Sequence, residues 1–139
     1  MGLFGKKKSE PELPVAGISG DGTYGVEVVG ESHYRDALVT LIQRAPAEER
    51  HAGEVRTSAL LVKDPGNTFD PNAIAVFIDG QQVGHIGRMD TGDIHDVIAA
   101  AAEQGYTDHG VVCQALIGWD ANNPKPLIGV RLDLAWERT

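Results

Sequence analysis

Residues 73–87 read AIAVFIDGQQVGHIG and predict a β-hairpin. Two apolar runs, 73–78 and 82–87, flank the dipeptide Asp79-Gly80. Asp-Gly between two such runs favours a two-residue turn with positive φ at both positions, which matches the natural twist of paired strands. The hairpin makes an antiparallel sheet the starting point for the rest of the chain.

Apolar patterns on both sides of the hairpin predict four further strands. They are expected at 24–30, 54–62, 110–119 and 127–135, where apolar residues alternate with polar ones or form short runs. Runs of this length are typical of strands in a small all-antiparallel sheet.

Two segments have helical spacing. A helix is expected at 33–45, with Ser32 as its N-cap and Pro46 directly after its end. A polar loop is expected from there to Gly53. A second helix follows Asp90 or Thr91 and ends before Gly105. Strands in sequential order with two helices predict a mainly β fold: a small OB-like antiparallel β-barrel of about six strands and two helices.

Composition suggests how the chain is divided. It has 139 residues, the size of one domain, and a net charge of −8 from 20 acidic and 12 basic residues. Residues 1–22 carry Lys6-Lys7-Lys8 and are rich in Gly and Pro, so they are expected to form a flexible tail. Residues 23–139 are expected to form the barrel domain. The acidic balance argues against a protein that coats nucleic acid non-specifically through a broad basic face.

The expected compartment is the cytoplasm. The sequence shows no secretory signal and no apolar run near the ~20 residues that span a bilayer. Cys113 is the one cysteine, so no intramolecular disulfide is expected. Its place in an apolar run predicts a buried, inert thiol.

No catalytic or metal-binding signature is found. The sequence has no nucleophile elbow, no phosphate-binding Gly-rich loop and no Cys-x-x-Cys. Asp93, His95 and Asp96 lack the two-His spacing of a zinc protease and are interpreted as a solvated helix face. The oxygen-rich residues of 64–72 do not have the spacing of an EF-hand loop. The chain is therefore expected to have no catalytic activity and to bind neither a metal ion nor a cofactor.

Three stretches, 28–34, 64–76 and 80–86, together resemble the HIRAN domain family, in particular its standalone bacterial members. The longest contains Asp64-Pro65-Gly66-Asn67-Thr68-Phe69-Asp70-Pro71-Asn72-Ala73, and the last contains Val83-Gly84-His85. The resemblance covers nearly all of the expected barrel. It implies an OB-like barrel that grips the 3′ end of single-stranded DNA.

The resemblance also implies roles for individual residues. Phe69 would stack on a terminal base, and Asp70 would accept a hydrogen bond from the 3′-hydroxyl. His85 and Arg88 would face phosphates. The remaining expected DNA contacts are His33, Tyr34, Asn67 and Trp119, the last as a candidate for a later aromatic of the family. The sequence departs from the DNA-gripping pattern at Ser32-His33, where Arg-Tyr is expected, and at Phe69, where Tyr is expected.

Simpler interpretations stand beside these roles. Asp and Asn side chains bond to nearby backbone, so Asp64, Asn67, Asp70 and Asn72 fit turn chemistry as well as a binding site. Phe69 fits a core position under the loop, and His85 fits a hydrogen-bonded position inside the barrel.

Two functions follow from the sequence. The first is a non-catalytic module that recognises single-stranded DNA, at its free 3′ end, in repair, replication or defence. The second is a protein–protein adaptor that keeps the barrel and has lost the DNA site, which the acidic charge and the Ser32-His33 departure favour. The oligomeric state is open.

Overall fold

The computed structural model describes residues 13–134. Within this range the strands are β1 (Ala16–Gly17), β2 (Val26–Val29), β3 (Glu54–Lys63), β4 (Ile74–Ile78), β5 (Gln81–Ile86), β6 (Gly110–Gly118) and β7 (Gly129–Leu132). The helices are α1 (Arg35–Gln43), α2 (Ala47–Ala52) and α3 (Thr91–Glu103), and a 3₁₀ turn at Glu31–Tyr34 precedes α1.

Six of the strands close into a ring. The order is β6, β3, β4, β5, β2, β7, and β7 pairs back to β6, so that every pair in the ring is antiparallel. The predicted fold class, a mainly β chain forming a small OB-like antiparallel barrel, is therefore confirmed. The first strand, β1, lies outside the ring and runs parallel to β6.

The predicted hairpin is β4 and β5. Asp79 has φ 52° and Gly80 has φ 77°, the two positive values that a tight turn of this twist requires. A bulge between Val76 and Phe77 bends the hairpin. This bend helps to curve the sheet into the ring.

The side chains that alternate inward fill the barrel, and α1 and α3 cover it. The largest fully buried side chains are Leu38, Leu61, Ile74, Ile78, Ile94, Ile98, Ile117, Leu132, Val76, Val83, Val111 and Val130. Where β2 meets β5 the backbones approach closely at Gly84. A Cβ placed there would lie 2.4 Å from Cγ1 of Val28 and 2.6 Å from the carbonyl oxygen of Val29. Glycine is the residue that allows this approach.

The structure corrects the expected tail. Residues 1–12 lie outside the described residues, but 13–22 pack against the barrel. Ala16 and Gly17 pair with β6, and the Ile18 N–H donates to the Val112 carbonyl at 2.7 Å. Asp133, a buried carboxylate, accepts hydrogen bonds from the backbone N–H of Gly22 at 2.9 Å and of Tyr24 at 3.3 Å. Residues 13–22 have the composition of a flexible tail, but the pairing of β1 with β6 and the hydrogen bonds to Asp133 hold them on the barrel.

The helices differ from the prediction in two respects. The segment after β2 starts as a 3₁₀ turn, so the α-helix begins at Arg35, and no side-chain cap from Ser32 is formed. The loop expected before Gly53 contains α2, for which Pro46 is the N-cap residue and Gly53, at φ 75°, the C-cap. Proline just outside a helix start and glycine just beyond its end are compatible with a short helix in a polar sequence.

Cys113 is buried, as predicted. Burial, helped by the nearby Asp133 carboxylate, raises the pKa of its thiol to about 12. The thiol therefore stays protonated and unreactive in the folded chain.

Candidate functional site

Three strand ends meet at one edge of the barrel. In the register, His85 of β5 lies between Val29 of β2 and Ala75 of β4. The C-terminal ends of β2 and β5 and the N-terminal end of β4 all lie within one residue of this row, although β2 and β5 run in opposite directions. The 3₁₀ turn after β2, residues 87–90 after β5 and the 64–73 loop before β4 therefore all begin or end near His85. Seven of the eight expected site residues lie on these three connections or on the strand end between them.

The 64–73 loop is closed at its base and braced from within. The Asp64 N–H donates to the Ala73 carbonyl at 2.9 Å. The side-chain oxygen of Asn67 accepts from the backbone N–H of Phe69 at 2.8 Å and of Asp70 at 3.0 Å. The carboxylate of Asp70 accepts from the Asn72 N–H at 2.9 Å through Oδ1. The turn interpretation is therefore confirmed for Asn67 and Asp70, and these bonds give the loop a fixed shape.

Phe69 points into solvent from this loop, with 92% of its surface exposed. The interpretation of Phe69 as a core residue is wrong. A fully exposed phenylalanine costs hydration free energy without contributing to the core. The loop therefore presents an aromatic face directly beside the half-buried carboxylate of Asp70.

His85 is partly exposed and connects the loop to the 3₁₀ turn. Its Nε2 lies 3.3 Å from the Gln82 amide nitrogen and 3.7 Å from Oδ2 of Asp64. The Gln82 amide donates to Nε2 in the tautomer in which this nitrogen carries no proton. Its ring centroid is 6.3 Å from that of Tyr34, at an interplanar angle of 56°. His85 is thus a partly exposed, hydrogen-bonded side chain, and its contact with a ligand stays a prediction.

Glycine sets the position of His33 and Tyr34. Gly30 has φ 80°, which turns the chain sharply after β2, and its carbonyl accepts from the His33 N–H at 3.0 Å. His33 is exposed, and Tyr34 is half-buried against His85. Tyr34 therefore lies beside His85, whose Nε2 is also 3.7 Å from Asp64 at the base of the 64–73 loop.

Arg88 is exposed on the connection from β5 to α3. Its carbonyl accepts from the Thr91 hydroxyl at 3.1 Å, and the preceding Gly87 carbonyl accepts from the Asp90 N–H at 2.9 Å. These bonds fix the backbone and leave the guanidinium on the surface. The neighbouring Met89 is 92% exposed, so this connection adds a second apolar side chain to the edge.

Trp119 lies away from the 64–73 loop. Its backbone N–H donates to the Gly53 carbonyl at 3.0 Å, and Gly53 directly precedes β3. The 64–73 loop follows the other end of that strand. The ten residues of β3 correspond to roughly 30 Å of extended chain. Trp119 lines a groove of about 520 Å³ together with Glu27, Glu31, Glu54 and Arg131. Carboxylates in this groove oppose a phosphate backbone.

Sequence reasoning missed a residue that contacts the loop. The sequence predicts that His95 lies on a solvated face of α3, but this residue is half-buried and its Nε2 lies 2.9 Å from the Asn72 carbonyl oxygen. The two residues are 23 positions apart, and nothing in the local pattern of α3 signals this contact.

Neither a metal-binding cluster nor a membrane-spanning helix is found among residues 13–134. No group of three or more His, Cys, Asp or Glu side chains is placed to hold a metal ion in this part of the chain. No helix in the same range combines the length and the apolar character needed to cross a bilayer.

The comparisons with known proteins are sparse. The sequence matches no protein-family model, and no curated protein matches it significantly. Among solved structures, the chain is similar to the crystal structure of the HIRAN domain of human HLTF, with 20% identity and a TM-score of 0.32, over 58% of this chain and 74% of that chain. A TM-score of this size assigns neither a ligand nor a residue role to the present chain.

Proposed function

We propose that this chain is a HIRAN-type binding module that takes the free 3′ end of single-stranded DNA, in repair, replication or defence. One observation carries the proposal: Phe69 is 92% exposed on a hydrogen-bonded loop and is followed at once by the carboxylate of Asp70. An exposed aromatic ring on a fixed backbone is a platform for a base, because every base offers a π-face.

Asp70 is the residue that distinguishes a 3′-hydroxyl from a 3′-phosphate. An ionised carboxylate accepts a hydrogen bond from a hydroxyl and repels a phosphate. One oxygen of Asp70 accepts from the Asn72 N–H, and among residues 13–134 no hydrogen bond is found at Oδ2. This oxygen is the one assigned to the terminal 3′-hydroxyl. A carboxylate in a DNA site is useful where a free end must be distinguished from a continuous or phosphorylated one.

The surrounding residues fit a short segment of strand. Tyr34 and His85 offer a second ring surface at the same edge, and Arg88 and His33 are exposed cations or hydrogen-bond donors for phosphates. The net charge of −8 disfavours a long electrostatic footprint. Recognition is therefore assigned to the last few nucleotides.

The test is fluorescence anisotropy at low salt with a labelled ~10-nucleotide single strand, a length within the ~4–16-nucleotide sites of OB folds. The strand carries either a 3′-hydroxyl or a 3′-phosphate. Wild type should prefer the hydroxyl by about tenfold or more, the effect of one hydrogen bond to a charged group. Asp70→Asn keeps an oxygen for the Asn72 N–H and removes the charge, so this variant should lose the preference while remaining folded. Equal binding of both ends by wild type would refute the proposal.

A protein–protein adaptor is the second candidate. The groove lined by Glu27, Glu31, Glu54 and Trp119 favours it, because the glutamates and an indole suit a basic peptide. Absence of binding to either DNA end at low salt, with recovery of one partner in a pull-down that Glu54→Lys abolishes, would establish this function instead.

A further inference from the structure

The side chain of His95 on α3 reaches the 64–73 loop. The Nε2 of His95 lies 2.9 Å from the carbonyl oxygen of Asn72. A carbonyl oxygen only accepts hydrogen bonds, so Nε2 carries the proton and His95 is the donor. The bond requires an N–H at this position and does not require a charged ring.

The contact lies two residues from the carboxylate that the proposed function assigns to the 3′-hydroxyl. While the Asn72 carbonyl accepts from His95, its N–H donates to Oδ1 of Asp70 at 2.9 Å. The next residue, Ala73, is buried and donates its N–H to the Asp70 carbonyl at 3.1 Å. Asn72 is therefore held from both sides, between α3 and Asp70.

The helix is a firm support for this contact. Ile94 and Ile98, on either side of His95 in the sequence, are 0% and 1% exposed. Burial of two isoleucines fixes the position and rotation of α3 on the barrel. His95 thus connects an exposed loop to an element anchored in the core.

We propose that His95 is a positioning residue of the end-binding site: it holds the Asn72 peptide so that the Asp70 carboxylate keeps the orientation that distinguishes a 3′-hydroxyl from a 3′-phosphate. His95 itself does not touch the DNA. This inference rests on the proposed function, because the orientation matters only if Asp70 reads the end.

The experiment compares wild type with His95→Ala and His95→Gln. Glutamine places an amide N–H near the position of Nε2, so it should restore the contact that alanine removes. Ala99→Gln adds the same side chain at an exposed position of α3 and is the matched control. Two quantities are measured: the ratio of the dissociation constants for 3′-phosphate and 3′-hydroxyl strands, and the hydrogen exchange rates of the Phe69, Asp70 and Asn72 amides.

In His95→Ala the ratio should fall about fivefold, the effect of one ordinary hydrogen bond, and the three amides should exchange faster by a similar factor. His95→Gln should recover most of both effects, and Ala99→Gln should change neither. If His95→Ala keeps the wild-type ratio, His95 has no positioning role, although the end-binding function stands. If wild type itself shows no preference, the end-binding function fails and this inference fails with it.

Discussion

The side-chain oxygen of Asn67 lies 3.0 Å from the backbone nitrogen of Asp70 and accepts its N–H. The same oxygen accepts the N–H of Phe69 at 2.8 Å. One amide group therefore orients the two residues to which the proposed function assigns stacking and hydroxyl recognition. Because Phe69 is 92% exposed, packing of its ring does not support the loop, whereas these two hydrogen bonds do.

Replacing Asn67 should test this dependence. Asn67→Ala removes the acceptor of two backbone N–H groups and should lower the free energy of unfolding by about 1–2 kcal/mol, measured by urea denaturation. The same variant should also weaken the preference for a 3′-hydroxyl. Asn67→Asp keeps an acceptor oxygen and should remain close to wild type in stability. Equal stability of the alanine variant and wild type would show that the two bonds do not hold the loop.

Phe69→Ala should separate binding from folding. Because the ring is exposed, its removal should change the free energy of unfolding by less than about 0.5 kcal/mol. Loss of one stacked base should weaken binding to single-stranded DNA about 5- to 150-fold, which corresponds to ~1–3 kcal/mol. Thr68→Ala, at an exposed neighbouring position, is the control for anisotropy titration. Unchanged affinity of Phe69→Ala would exclude the ring from the site.

Gly84→Ala should destabilise the barrel where β2 and β5 cross. The new Cβ would meet Cγ1 of Val28 and the carbonyl oxygen of Val29, and the backbone oxygen cannot move away easily. The expected loss is about 3 kcal/mol in chemical denaturation, at the upper end of overpacking effects. Gly87→Ala is the matched control, since its Cβ would have ordinary contact with Val29 at 3.8 Å. Similar losses in both variants would contradict this explanation.

Asp133 should control whether residues 13–24 stay on the barrel. Asp133→Ala removes a buried acceptor from the N–H groups of Gly22 and Tyr24 and should cost about 2–3 kcal/mol of unfolding free energy. Limited proteolysis should then cleave this segment faster than in wild type. Asp133→Asn retains one acceptor oxygen and should be intermediate. A protease pattern identical in all three proteins would show that other contacts, such as the pairing of β1 with β6, are sufficient.

Cys113 should make the chain less stable in alkali. Burial raises the pKa of the folded thiol to about 12, against an ordinary value of 9.0. Above pH 9.0 the unfolded chain releases this proton and the folded chain keeps it, so unfolding becomes easier as pH rises. The contribution should reach about 1.4 kcal/mol per pH unit between these two values. Cys113→Val should show a correspondingly smaller fall over the same pH range. Parallel curves for the two proteins would contradict the assignment.

The elements that the sequence predicts well are those with local causes. The Asp79-Gly80 turn determines the hairpin through two residues, and the strands around it show their own apolar pattern. The braced loop follows from Asn67 and Asp70, whose side chains bond within three residues. The sequence allows two interpretations of Phe69, an exposed site residue and a core residue under the loop. The local pattern around an aromatic residue in a loop does not distinguish them.

The features that sequence reasoning missed depend on distant partners. Residues 13–22 have the composition of a tail, yet Gly22 bonds to Asp133, 111 positions away. His95 looks like one polar residue on a solvated face until the fold brings it to Asn72. Trp119 is a candidate only through the resemblance to the family, and the length of β3 separates it from the 64–73 loop. Neither hydrophobic periodicity nor residue spacing indicates which distant residues come into contact.

Closure of the ring has a consequence for how the chain acquires its fold during synthesis. Glu27 of β2 pairs with Arg131 of β7, and their side chains form an ion pair at 2.9 Å across 104 positions of sequence. Pairing over such separations makes folding slow relative to chains with local contacts. While β7 is still on the ribosome, β2 and β6 are exposed strand edges that other chains can pair with. Translation of β7, which follows the other five strands of the ring in the sequence, therefore ends the period in which these two edges are exposed.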